Sequence, residues 1–153
     1  MKNNILLIED DQKKIDDIKC FISEGMNSYK LVIRQSYQSG LKELLTKRYD
    51  LLLLDMSLPT WDSMEYEAVG NFEKFGGYKI MMEMERKKVK TKTILITMFD
   101  DFGESDSSMT LMEIDSALKE SFKDFYLGYV FYNSRENNWM ERLRSFISTE
   151  LQG

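Results

Sequence analysis

The chain has 153 residues, a net charge of -5, one cysteine and no histidine. The missing histidine excludes Ser-His-Asp and Cys-His triads, histidine-ligated metals and a histidine phosphodonor role; the lone Cys20 excludes an internal disulfide and a multi-cysteine metal site. An acidic balance without a basic face argues against direct nucleic-acid binding.

Hydrophobic residues make up 42% of the chain, enough for one packed domain, which is expected to span 1–153. A reducing, cytoplasmic setting fits the cysteine usage. The first apolar run is only four residues, too short for a signal peptide, and no segment approaches a membrane span.

Ile5-Leu6-Leu7-Ile8 is an apolar run ended by Glu9-Asp10-Asp11, and it predicts a buried strand. Ile15, Ile18, Phe21 and Ile22 recur at helical spacing, with Gly25 as the stop. Cys20 falls inside that pattern and is expected to pack in the core. A second strand is predicted over 29–33. A second helix follows Ser39-Gly40, with Leu41, Leu44 and Leu45 as its apolar face. Leu51 to Leu54 predict a third strand, buried on both sides, that ends on Asp55.

The pattern is poor over 60–75. Gly76-Gly77 then opens a helix that carries Ile80, Met81 and Met84 and ends in the basic cluster Arg86-Lys87-Lys88-Val89-Lys90, a favourable place for cations. The glycine pair lacks the preceding strand of a phosphate-binding fingerprint and is expected to start the helix or let two backbones approach. A fourth strand covers 93–97. An acidic, irregular stretch covers 99–108. Leu111, Ile114, Leu118 and Phe122 space out as a helix, 126–132 as a fifth strand, and Trp139, Leu143, Phe146 and Ile147 as a closing helix. Trp139 and the scattered methionines are expected in packing roles; Trp61, in the long loop near Asp55, is placed to cover the site or report on it.

Five alternations of strand and helix, with continuous apolar strands, predict a flavodoxin-like doubly wound (βα)5 parallel sheet of order 2-1-3-4-5. Ligands in such sheets bind outside the carboxyl ends of the strands, where the order reverses. Glu9 and Asp10 end strand one, Asp55 ends strand three and Thr97 ends strand four, so they converge on one rim. Carboxylates crowded this way call for a cation, and oxygen ligands at an open rim suit Mg²⁺. A carboxylate there can act as a nucleophile towards phosphorus. The plainer reading, that the acids only cap the first helix, suits Asp11 but leaves Asp55 and Thr97 unexplained.

ILLIEDD, DLLLLDMSLP, TILITM and GYVFYN together resemble the response-regulator receiver domain of two-component signalling, over nearly the whole chain. The resemblance implies that Asp55 accepts a phosphoryl group from a histidine kinase or phosphotransfer protein. It implies that Asp10, with Glu9, Asp55 and the Ser57 backbone carbonyl, holds Mg²⁺. Thr97 would hydrogen-bond the phosphoryl group and Tyr129 would be the aromatic switch. It also implies a downstream protein target, at most slow self-dephosphorylation rather than enzymatic turnover, and a partner or homodimer surface on helix four, strand five and helix five.

The chain departs from the family where Tyr132 stands at the strand-five lysine and Asn133 at the following proline. Tyrosine donates one hydrogen bond but supplies no charge near neutral pH. Arg135 is close in sequence but is not assigned to the site. Met98 stands where the family has a small residue, and the 60–75 and 99–108 loops are long, as a lid, a partner surface or tolerated drift. Two functions stay open: a stand-alone phosphorylation-dependent receiver, and a pseudo-receiver that binds partners without being phosphorylated. An aspartate-nucleophile phosphohydrolase of the haloacid dehalogenase type would need an aspartate where Ser57 stands.

Overall fold

The computed structural model describes residues 3–25, 28–59, 72–73, 76–98, 101–102, 109–133 and 135–151. Five strands form one parallel sheet: β1 (Asn3–Ile8), β2 (Tyr29–Arg34), β3 (Leu51–Leu54), β4 (Lys92–Thr97) and β5 (Tyr126–Phe131), in the order β2-β1-β3-β4-β5. Five helices connect and cover them: α1 (Gln12–Gly25), α2 (Tyr37–Thr46), α3 (Gly76–Lys87), α4 (Leu111–Ser121) and α5 (Asn138–Leu151). This is the doubly wound fold and strand order that the apolar pattern predicts.

Alternate residues of each central strand feed two cores. Ile5, Leu7, Leu51, Leu53, Ile94 and Ile96 meet Ile15, Ile18 and Phe21 of α1 and Trp139, Leu143 and Ile147 of α5. Leu6, Ile8, Leu52, Leu54 and Leu95 face the other way, onto Leu44 of α2, Ile80 and Met84 of α3 and Ile114 and Leu118 of α4. The four leucines of β3 are fully buried because each face of the sheet has its own helix layer. Each contributes about 2 kcal/mol by leaving water. Trp139 is a core residue as expected, packed between Phe21 and Tyr132.

Several local readings are corrected. Cys20 does not pack in the core; it is exposed, and its thiol contacts Glu24, whose carboxylate pushes the thiol pKa up. Position 20 lies on the opposite side of α1 from Ile18 at 100° per residue. The second helix starts before Ser39-Gly40, not after: Ser36 is its N-cap, in a reciprocal capping pair with Ser39. Gly40 is then an interior helix residue, and a Cβ there would come within 2.5 Å of the Ile8 side chain, so the glycine lets α2 close onto β1. Leu45 is exposed, leaving Leu44 as the buried leucine of that helix.

The basic cluster does end a helix. Lys88 takes a left-handed conformation, φ 61°, and Val89 N–H closes back on the Met84 carbonyl. Leu58–Pro59 pairs antiparallel with Phe72–Glu73, and Asp101–Phe102 with Met109–Thr110. Trp61 and most of the two long loops lie outside the described residues. No helix among the described residues is long and apolar enough to cross a membrane.

Candidate functional site

β1 and β3 pair in register at Ile8 and Leu54, so Glu9 and Asp55 leave the sheet side by side. Asp55 N–H donates to the Ile8 carbonyl at 3.2 Å. Strand alternation turns both side chains to the α1 side, because Ile5 and Leu7, and Leu51 and Leu53, face that core. Asp10 follows immediately. One carboxylate oxygen from each of Glu9, Asp10 and Asp55 lies within 4.8 Å of the other two. Glu9 and Asp55 are buried and Asp10 is exposed.

The hydrogen bonds fix two of the three acids. Asp55 Oδ1 accepts from Met56 N–H at 2.8 Å. Glu9 Oε2 accepts from Asp11 N–H at 3.1 Å. Asp11 is the α1 cap: its Oδ2 accepts from Lys14 N–H at 2.9 Å. Burial pushes the Glu9 carboxyl pKa up, and Asp55 adds to the rise while Lys14 opposes it. Burial and then Asp55 push Asp10 up as well. Both acids are thus short of positive charge.

A residue the sequence reading passed over supplies part of it. Lys14, in the first turn of α1, is fully buried. Its Nζ lies 2.5 Å from Glu9 Oε1 and 3.5 Å from Asp55 Oδ1, and donates to the Ile96 carbonyl at 2.6 Å. Glu9 Oε1 has this charge beside it but no well-angled hydrogen bond among the described residues. The signal was in the sequence: position 14 is four before Ile18, on the inward face of the helix.

The other expected site residues divide. Thr97 is fully buried at the end of β4, one strand over from Asp55, and Ser57 is buried two residues beyond it. Gly77 packs against the backbone at Asp55: its N–H donates to the Met56 carbonyl at 2.8 Å, and a Cβ would fall 2.4 Å from the Asp55 carbonyl oxygen. Tyr132 is not in the carboxylate group. Its hydroxyl donates to Asp17 of α1, and burial followed by that carboxylate raises its pKa, so it is a neutral phenol. Tyr129 packs on the α2–α4 side, with the Arg142 guanidinium 5.1 Å from its ring. Arg135 is exposed. Met98 is half-buried against the α1–α5 core.

Three clustered carboxylates, two of them with raised pKa and one with an oxygen lacking a proper donor, fit a hard divalent cation such as Mg²⁺.

No family model matches the chain. It is 29% identical over 149 residues to the Detocs response regulatory protein DtcB of Enterobacter cloacae, covering 96% of this chain and 99% of that one. It is 26% identical over 141 residues to the uncharacterized protein y4jR of Sinorhizobium fredii, covering 92% and 93%. Among solved structures it resembles the phosphorylated cyanobacterial phytochrome response regulator RcpA, with TM-score 0.65, 14% identity and 99% and 95% coverage. It also resembles the receiver domain of a Pseudomonas aeruginosa sensor histidine kinase with magnesium coordinated in its active-site cleft, with TM-score 0.59, 15% identity and full coverage of both chains. The chain has the fold of a response-regulator receiver domain, and its carboxylates gather where the strand order of that fold reverses.

Proposed function

We propose that the chain, as one receiver unit over 1–153, takes a phosphoryl group on Asp55 from a phosphohistidine of a histidine kinase or phosphotransfer protein and signals through protein contacts. The observation that carries this reading is the gathering of Glu9, Asp10 and Asp55 at the mouth of β1 and β3. Similarity to a response regulatory protein over nearly the whole of both chains supports it.

Asp55 Oδ2 is the oxygen placed to attack, because Oδ1 is held by Met56 N–H. The oxygen–phosphorus bond forms as the donor's nitrogen–phosphorus bond breaks, and the imidazole leaves with the bonding pair. Glu9, Asp10, Asp55 and the Ser57 carbonyl would hold Mg²⁺, which when bound offsets the charge of phosphoryl oxygens. The Thr97 hydroxyl is the proposed hydrogen-bond donor to the phosphoryl group, and Tyr129 the side chain that moves with it. The product is an acyl phosphate, which water removes slowly, so the chain is a phosphoacceptor rather than a turnover enzyme. The α4–β5–α5 face is the proposed contact surface, for a downstream target or a second copy; Met112 and Phe131 are exposed there.

A pseudo-receiver is the second reading. One observation favours it: Tyr132 is committed to Asp17 rather than to the phosphoryl side.

Beryllofluoride, which mimics a phosphoryl group on a carboxylate, separates the two. Calorimetry should show saturable binding that needs both Mg²⁺ and Asp55, and Asp55→Asn should abolish it. A protein that binds neither Mg²⁺ nor beryllofluoride is a pseudo-receiver.

A further inference from the structure

Lys14 is the only fully buried cationic side chain among the described residues, and nothing in the family pattern accounts for it. Its backbone is fixed by the Asp11 cap, and its side chain runs inward along the same face as Ile18. An ammonium has three donors. One is spent on the Ile96 carbonyl, and Nζ also lies 2.5 Å from Glu9 Oε1 and 3.5 Å from Asp55 Oδ1.

The strand-five position tells the other half. By the sequence resemblance Tyr132 stands at the family's lysine, and its hydroxyl is turned to Asp17 on α1. The Tyr132 ring lies 5.9 Å from Lys14 Nζ and forms a wall of the Lys14 pocket. On that alignment charge and bulk change places between two elements: the residue after β5 contributes the ring and α1 the cation.

We infer that Lys14 is the fixed cation of the phosphoryl site, reaching Asp55 from α1 in place of a lysine from β5. The inference rests on the proposed phosphoacceptor role of Asp55. When the phosphoryl group arrives, Nζ stays anchored on Ile96 and pairs with a phosphoryl oxygen. Before that it sits between Glu9 and Asp55, two of the metal-binding carboxylates, and competes with Mg²⁺ for them.

This gives a signature that a merely structural ion pair lacks. In Lys14→Met, Mg²⁺ should bind several-fold tighter, because a competing charge is gone. Beryllofluoride should bind at least about tenfold more weakly, and phosphorylation by a small donor should slow at least as much. Adding Tyr132→Lys to Lys14→Met should recover part of the beryllofluoride affinity. Lys14→Gln, which keeps a hydrogen bond to Ile96 and removes the charge, should show the same opposed changes and serves if the methionine variant does not fold. Beryllofluoride affinity and phosphorylation rate equal to wild type in these variants would overturn the role of Lys14 while leaving Asp55 as the acceptor. Loss of Mg²⁺ and beryllofluoride binding together would overturn it in favour of a structural role. Wild-type protein that binds no beryllofluoride would overturn this inference along with the phosphoacceptor reading.

Discussion

Glu9 and Lys14 are titratable groups that are nearly or fully buried and 2.5 Å apart; burial pushes the Glu9 pKa up to about 8, so the ion pair is complete only above that pH. Breaking such a pair leaves an uncompensated buried charge, at a cost of about 3 kcal/mol. Glu9→Gln should therefore lower the unfolding free energy by about that amount in urea titrations above about pH 8 and by less near neutral pH, whereas Asp10→Asn, at an exposed position, should leave stability within about 0.5 kcal/mol of wild type. The same Asp10→Asn change should weaken Mg²⁺ binding at least about tenfold, measured by calorimetry, if Asp10 is a ligand. Glu9, Asp10 and Asp55 were legible in the sequence because carboxylates directly after apolar strand runs have few places to go but the sheet mouth. Lys14 was not legible as a site residue because its neighbours Lys13 and Gln12 are polar and it reads as one more solvated charge. Only the inward register set by Ile18 and Ile22 distinguishes it. Cys20 errs in the opposite direction, an apolar residue type on the outer face of the same helix.

At the level of elements, the close approach of α3 to the end of β3 sets where Asp55 lies. Gly77→Ala puts a methyl 2.4 Å from the Asp55 carbonyl oxygen, so α3 must move or β3 must bend. A destabilisation of about 2 kcal/mol is expected, together with slower phosphorylation of Asp55, checked by urea unfolding and by mass spectrometry. The sequence reading allowed two roles for Gly76-Gly77, a helix start and a close backbone approach, and the structure shows both. The start of α2 was misread because Ser39-Gly40 looks like a breaker, whereas Ser36 already caps the helix and Gly40 is needed for packing on Ile8. α2 is also tied down by Glu43, which accepts from Tyr49 and Arg34 and pairs with Lys47. The Tyr49 hydrogen bond, opposed by burial and helped by Arg34 and Lys47, holds the Glu43 pKa below the usual value of 4.5. A lowered folded pKa means that this stability is present above about 4.5 and is lost as pH falls through the folded value. Tyr49→Phe should cost about 1 kcal/mol near neutral pH and flatten the acid limb of the stability–pH curve, read from urea midpoints across that range.

For the whole molecule, two apolar layers on a five-stranded parallel sheet leave one rim, at the carboxyl ends of β1, β3 and β4, for chemistry. That much follows from the run of strands and helices, because parallel strands buried on both faces can be covered only by crossover helices, and those put the order reversal beside β1. What the pattern of the sequence does not carry is the buried cation beside Glu9 and Asp55. Its placement depends on a contact between α1 and β4 separated by 82 residues, Lys14 to the Ile96 carbonyl. The central claim is that this rim delivers a phosphoryl group to Asp55. Incubation with Mg²⁺ and acetyl phosphate or a phosphoramidate, followed by intact-mass spectrometry, tests it most directly. A base-labile gain of one phosphate that requires Mg²⁺ and disappears in Asp55→Asn is expected. No gain in the wild-type protein, or an equal gain in Asp55→Asn, would contradict it.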